Sequence, residues 1–427
     1  MFITDKLTKI ILFILYPILL FGFVHFGNRN DLYIVLLISF ILPIYFYFLI
    51  DGLFIFGNKF HFFVLYVIFL RLVVVGVTPV WSDDIYRYLF DAKILLEGIS
   101  PYLYTPQELT EYAQTNSFGL DFLLLKMNSP NYYSVYPLLL QCFFALGTII
   151  GSFIQNSFLA VQILIILFDI LNLFLIRKLY PALSKDSLWL YFGNPIVIME
   201  GISQMHPEIL LVTVCLLLFL SKSTFKIIVS FFFLTQIKFN AFLFILGIRG
   251  SRKTLISLLF VIIGSLVVWK FTVFSNLVMQ GTAGLGLFFH SFRFAGLVEP
   301  IFYSILIPFQ GEYLSGILSF LTLSFVYFFC YQKNLFRNFQ LPVRFLMIYS
   351  LFLLFSPVIH PWYWIPWVFF ALSIQKNKSL VAVVTFVAFL SYGLYVNSDF
   401  VYIHWLVSIL VLGSYGFKQV NYLRQTS

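Results

Sequence analysis

The stretch Trp81-Ser82-Asp83-Asp84-Ile85-Tyr86-Arg87-Tyr88-Leu89-Phe90-Asp91 marks the point where this chain stops being continuously apolar. Before it lie three apolar runs, 7–26, 32–50 and 61–80. Each is about as long as the roughly 20 residues that a helix needs to cross a bilayer. After it, as far as Tyr132, comes the longest polar segment of the protein, with Asp83, Asp84, Asp91, Glu97, Glu108, Glu111 and Asp121. Of the 427 residues 61% are apolar, 21% aromatic and only 10% charged, and Phe occurs 56 times. Soluble domains carry about a quarter charged residues, so an ordinary soluble enzyme is excluded. The sequence predicts an all-α, polytopic membrane protein forming a single integral domain over 1–427.

The net charge of +9 does not point to nucleic acid. Lys and Arg stand singly or in twos and threes between apolar runs, with no basic stripe along a polar face. They read instead as the cytoplasmic loops of the positive-inside rule. Cys142, Cys215 and Cys330 lie far apart inside apolar segments, which excludes a CxxC pair and a disulfide framework. Lys6 and Lys9 precede an apolar run without a small-residue cleavage site, so the first helix is expected to be uncleaved.

Starting inside, the first three runs place Trp81–Tyr132 outside the membrane. Further crossings are expected at 157–176, 187–204, 207–221, 254–274, 313–332, 341–358, 362–375, 380–396 and 400–416. That makes about 12 crossings, with both termini cytoplasmic. Counting 133–152 as another span would put Arg177, Lys178 and Lys185 outside, so it is read as an interfacial helix or as a segment that dips in and returns. The segment 81–156 then becomes an external loop with interfacial helices. Basic residues flank 227–248 on both sides, and Thr235, Gln236, Lys238 and Asn240 interrupt it, which predicts a broken or re-entrant pair. Five of the six histidines (His25, His206, His290, His360, His404) fall at outer ends on this map.

On a helix beginning after Ser82, Asp84, Arg87, Tyr88 and Asp91 share a face, and Arg87 reaches both Asp83 and Asp91 at four-residue spacing. Ser82 suits an N-cap. A solvated amphipathic helix with ion pairs would carry the same pattern. The functional reading is a carboxylate pair at the membrane boundary. One of the two could accept a proton from an attacking hydroxyl, or both could hold a divalent cation such as Mg or Mn. Lys238 is an ionisable group within an apolar segment, a functional position by default. Snorkelling, or pairing with Asp169 or Glu200, is the competing reading. Arg293 and His290 in the external stretch 275–299, His360 with Tyr363, and His206 with Glu208 are further polar groups opening outward. Arg71, in the middle of the third run, is read as structural.

The stretch WSDDIYRYLFDAKILLEGISPYLYTP resembles the first external loop of bacterial membrane glycosyltransferases of the GT-C fold. It is similar to the polyprenol-phosphate-mannose-dependent mannosyltransferases, a group that also resembles the catalytic subunit of GPI mannosyltransferase I. The shared pattern is S-D-D-I-x-R-Y, a further Asp, and G-x-x-P-Y, here completed by Gly98, Pro101 and Tyr102. Weaker echoes follow at 193–210, 289–303 and 360–367, so the resemblance covers about 60–375. Where that family often has His-Asn-Asp, this chain has His206-Pro207-Glu208.

The resemblance implies a polyprenyl-phosphate-linked hexose donor, mannose above all, and a glycan or lipid acceptor. It implies a site on the external face of a bacterial inner membrane, and an inverting displacement with Asp83 as base assisted by Asp84. Arg87, Tyr88, Asp91, Tyr102, His206, Glu208, Lys238, His290, Arg293, His360 and Tyr363 become the candidate substrate contacts. A transporter or flippase of lipid-linked sugars is the rival class. It predicts paired intramembrane charges and repeat symmetry, whereas this chain gathers its acids in one loop.

Overall fold

Two apolar helices joined by a five-residue connection begin the fold: α1 (Phe2–Phe26) and α2 (Leu32–Ile50), with the Asp31 side chain accepting from the backbone N–H of Tyr33 and Ile34 at the N-terminus of α2. The computed structural model describes residues 2–57, 59–115, 119–248, 252–275, 283–284, 292–336, 338–374 and 378–426. Among these residues every regular element is helical, and β pairing is confined to isolated bridges of Phe294 and Ala295 with Val358.

Five segments are long and apolar enough to cross a membrane: Lys6–Phe26, Leu32–Ile50, Ser157–Leu179, Glu312–Gln332 and Lys378–Val396. A sixth is a bent pair, Val197–Ser203 with Glu208–Leu220, turned through 104°. The other expected crossings fall on shorter apolar helices, so a count of about 12 is not reproduced among the described residues. Ile14, Ile18, Phe40, Phe48, Phe260 and Phe325 all point outward and are exposed. Each would forfeit roughly 1.5–3 kcal/mol in water. Such faces belong against lipid, and the protein is a membrane protein.

Several apolar runs do not continue as helices. The run 61–80 is helical only as α3 (Phe60–Leu72), after which residues 73–82 unwind. An unwound backbone inside an apolar body leaves N–H and C=O groups that need partners. Two glutamines supply them. Gln162, on α8 (Ser157–Leu179), donates to Val74 O at 3.0 Å and accepts from Gly76 N at 2.7 Å. Gln204 accepts from the N–H of Trp81 (2.9 Å) and Ser82 (3.1 Å). The helix α4 (Asp84–Leu96) then starts one residue later than an N-cap at Ser82 implies, and the Ser82 hydroxyl takes Asp84 N at 3.3 Å.

α4 ends at Gly98, whose φ of +81° continues into a Gly98 N–Leu95 O and Ile99 N–Ile94 O pair of bonds. That left-handed position is the reason for the glycine of the G-x-x-P-Y pattern. The short helices α5 (Thr110–Thr115) and α6 (Leu120–Lys126) follow. The expected interfacial segment 133–152 is α7 (Leu138–Ile154), packed along α8 after a two-residue link and also against α4. The expected crossing 187–204 is two pieces: α9 (Lys185–Phe192), then a π-helix over Val197–Ser203 after a break at Gly193-Asn194-Pro195. α10 (Glu208–Leu220) descends from the bend, and α11 (Thr224–Ile237) packs beside it. As expected, 227–248 breaks. The break falls at Lys238, whose backbone is extended (φ −150°, ψ 134°) before a 3-10 helix over Phe239–Gly247.

Candidate active site

Four chain breaks meet at one end of the molecule: the α1–α2 connection, the start of α4, the bend at 204–207 and the break at Lys238. Each break frees a polar side chain from a helical face and aims it at the others. Asp83 and Asp84 open α4, both half-buried. The Asp83 carboxylate is ion-paired with Arg29 from the α1–α2 connection; Arg29 also donates to Trp81 O at 3.4 Å and lies over the Tyr395 ring at 4.8 Å. Gly27 lets this connection approach so closely, because a Cβ there would sit 2.5 Å from the Trp81 indole.

Lys238 is ion-paired with Glu208, the first residue of α10, and its ammonium sits 3.7 Å from the centre of the Tyr363 ring. Asp84 feels both groups. Burial, with the carboxylates of Asp83 and Glu208, pushes its pKa up to about 7, against the pull of Arg29 and Lys238. A carboxyl titrating near neutrality is suited to exchanging a proton during a reaction. Tyr88 donates to the Asp84 carboxylate at 3.4 Å.

Aromatic stacking fixes the far wall. Trp362 lies between two imidazoles, 3.8 Å from the ring of His206 and 4.3 Å from that of His360. Phe294 continues the stack on the other face of His360 at 4.6 Å. Burial, with Lys238 nearby, pulls the His360 pKa down to about 3, so this imidazole is neutral. Glu200, on the π-helix, accepts from the Tyr392 hydroxyl and lies 3.5 Å from His206.

The other expected contacts separate from this cluster. Arg87 pairs with Asp91 at 2.7 Å, not with Asp83, and both are buried. It also donates to Ser129 O and Tyr132 O at 2.8 Å each, while Gln141 donates to Asp91 at 3.0 Å. Tyr102 donates to Tyr136 O at 2.9 Å. These three residues tie the loop after α4 to its base. Arg293 is bonded to Glu299 (2.8 Å), Glu312 O (2.7 Å) and Ser315 (3.0 Å). His290 lies outside the described residues. Arg71 is paired with Asp169 at 2.8 Å inside the helix bundle, which also removes Asp169 as a partner for Lys238.

Arg29, Gln204, Trp362 and Tyr395 were not singled out from the sequence. Arg29 left a trace all the same: it is a lone cation between two spans, on the same side as the acidic loop. For a divalent cation the available donors are Asp83, engaged by Arg29, and Asp84. Among the described residues no three of His, Cys, Asp and Glu are grouped to hold a metal. Asp83 and Asp84 would give a divalent cation two carboxylates, the number that Mg2+ takes where substrate phosphate and water complete its shell; the chemistry below is derived from the side chains alone.

Residues 63–263 match a family model described as alpha-(1->6)-mannopyranosyltransferase, N-terminal domain. The match contains Asp83, Asp84, Glu200, His206, Glu208 and Lys238, and ends before His360; Arg29 precedes it. Neither a curated protein nor a solved structure matches the chain.

Proposed function

We propose, from the match of residues 63–263 to the alpha-(1->6)-mannopyranosyltransferase, N-terminal domain model, that this membrane glycosyltransferase moves mannose from a polyprenyl phosphate to an acceptor hydroxyl. The observation that carries the proposal is the convergence of Asp83, Asp84 and Lys238 at one end of the helix bundle. An acceptor oxygen attacks C1 of the sugar, the C1–O bond to phosphate breaks, and the anomeric centre inverts. Asp83 takes the hydroxyl proton, and Asp84, titrating near neutrality, assists it. Lys238, held by Glu208 near the pair, adds positive charge to the site as the phosphate leaves. Arg87, Asp91 and Tyr102 are positioning residues that hold the loop carrying the pair.

The distribution of cations supports a site on the outer face, with both termini cytoplasmic. Lys9 donates to Phe48 O, Lys185 to Gly57 O, and Lys378 pairs with Asp51 at 3.0 Å. All three gather at the end of α2 opposite Arg29, about 28 Å away at 1.5 Å per residue. A cationic collar at that end, with the acidic loop after Trp81 at the other, fits the positive-inside arrangement of a bacterial inner-membrane protein. The acceptor, on this reading, is a glycan or a glycolipid.

The test is reconstitution of the full chain into vesicles with labelled polyprenyl-phosphate mannose and envelope lipids or glycans as acceptors. The reading expects label in a new glycosidic product together with free polyprenyl phosphate. Intact donor carried across the bilayer without such a product would make the protein a transporter and overturn it.

A further inference from the structure

The base of the reaction is not free in this structure: the Asp83 carboxylate is occupied by the Arg29 guanidinium. We propose that Arg29 is a latch that the donor phosphate opens, taking the guanidinium from Asp83 and so releasing the carboxylate to act as base. The proposal deepens the lipid-phosphate reading above and rests on it.

Arg29 comes from the α1–α2 connection, outside the residues that match the family model. Its pair with Asp83 is open to exchange, because the two side chains keep 16% and 22% exposure at the end of the bundle. Its hydrogen bonds, to Asp83 and Trp81 O, engage two of the five N–H donors of a guanidinium. Once Asp83 is displaced, the guanidinium can present two N–H groups side by side to a phosphate, which it binds bidentately. Tyr395 beneath the plane and Gly27 beside Trp81 hold the group in place.

The charge balance makes the exchange necessary. Asp83 and Glu208 both act on Asp84, and the cations facing Asp84 are Arg29 and Lys238. Both cations are already held by carboxylates. An anionic donor entering this cluster must displace one carboxylate to find a counter-charge. Displacing Glu208 from Lys238 strands an almost fully buried acid, whereas displacing Asp83 delivers the base to the reacting sugar. The guanidinium stays charged throughout. The acceptor proton goes to Asp83, the C1–phosphate bond breaks, and the lipid phosphate leaves paired with Arg29.

The latch makes a prediction of unusual sign. The probe is a short-chain polyprenyl phosphate titrated against the full-length protein in lipid nanodiscs. Asp83→Asn removes the competitor for Arg29 and tightens binding about threefold or more. Arg29→Gln weakens it about tenfold or more, and Arg29→Lys, a point charge without the fork, falls between wild type and Arg29→Gln. In the Arg29→Gln background, Asp83→Asn has no further effect. A purely structural role for the pair would leave Asp83→Asn binding unchanged or weaker, and either result overturns the latch. Arg29→Gln binding as tightly as wild type would also overturn it. If wild type itself fails to bind polyprenyl phosphate, the donor reading fails and takes the latch with it.

Discussion

Arg29–Asp83 and Arg71–Asp169 are the same chemical pair in two settings. Arg71 and Asp169 are each 1% exposed, wedged among α3, α8 and α9, with Arg71 also donating to the carbonyls of Val67 and Phe192. Arg29 and Asp83 sit at the end of the bundle, with about a fifth of each side chain open. A buried pair of this kind cannot exchange partners, since each charge depends on the other for its only strong compensation. A half-open pair can. The contrast separates ion pairs that hold shape from a pair open enough to exchange partners, and Arg87–Asp91 falls in the first group.

The largest expected effect comes from breaking the closed pair. Arg71→Ala strands Asp169 inside the bundle at a cost of about 3–5 kcal/mol, a large share of the 5–15 kcal/mol typical of a whole domain. The expected result is little or no folded protein in a detergent extract measured by size exclusion. Changing both partners to apolar residues (Arg71→Met with Asp169→Leu) should recover much of the loss. Recovery failing for the double change would mean that the pair does more than satisfy itself. Arg87→Ala is expected near the low end of the same range, about 3 kcal/mol, because the loop it ties lies at the bundle's edge. Limited proteolysis should then cut within 97–137 while the rest of the chain stays resistant.

A smaller, pH-dependent effect is expected at Asp84. Its pKa is raised from 3.8 to about 7, so the folded protein binds this proton more tightly than the unfolded chain does. Stability therefore falls as pH rises from about 4 to about 7. Asp84→Asn removes that loss. The variant should melt a few degrees above wild type at pH 8, with a gap of about 2–6 °C, and the two should converge near pH 4. A constant gap at all pH values would show that Asp84 is not the group titrating.

How much of this was legible depended on what satisfies the backbone. The runs read as 7–26, 32–50, 157–176, 313–332 and 380–396 all lie on long apolar helices, because such a segment closes its own hydrogen bonds. The end of 61–80 and the stretch 187–204 misled, because apolar composition does not reveal a side chain elsewhere that replaces helical bonds. Gln162 and Gln204 do this for residues 74–82, and Asn194 donates to Thr385 while accepting from Ile196 N. The break at Lys238 was legible because polar residues and basic flanks both marked it. Asp83 and Asp84 were visible as a motif, but their partners were not. Arg29 lies 54 residues from Asp83, and Glu208 lies 30 from Lys238. Nothing local in the sequence encodes those pairings.

The central claim is that the Asp83–Asp84 pair performs sugar transfer at this end of the bundle. The most direct measurement compares wild type, Asp83→Asn, Asp84→Asn and the double variant, each full length and reconstituted at equal amounts of folded protein. The readout is transfer of labelled mannose from polyprenyl phosphate. The account predicts a fall of about 10²–10⁴-fold for Asp83→Asn, a smaller fall for Asp84→Asn, and no detectable product from the double variant. Transfer at the wild-type rate by all three variants would contradict it.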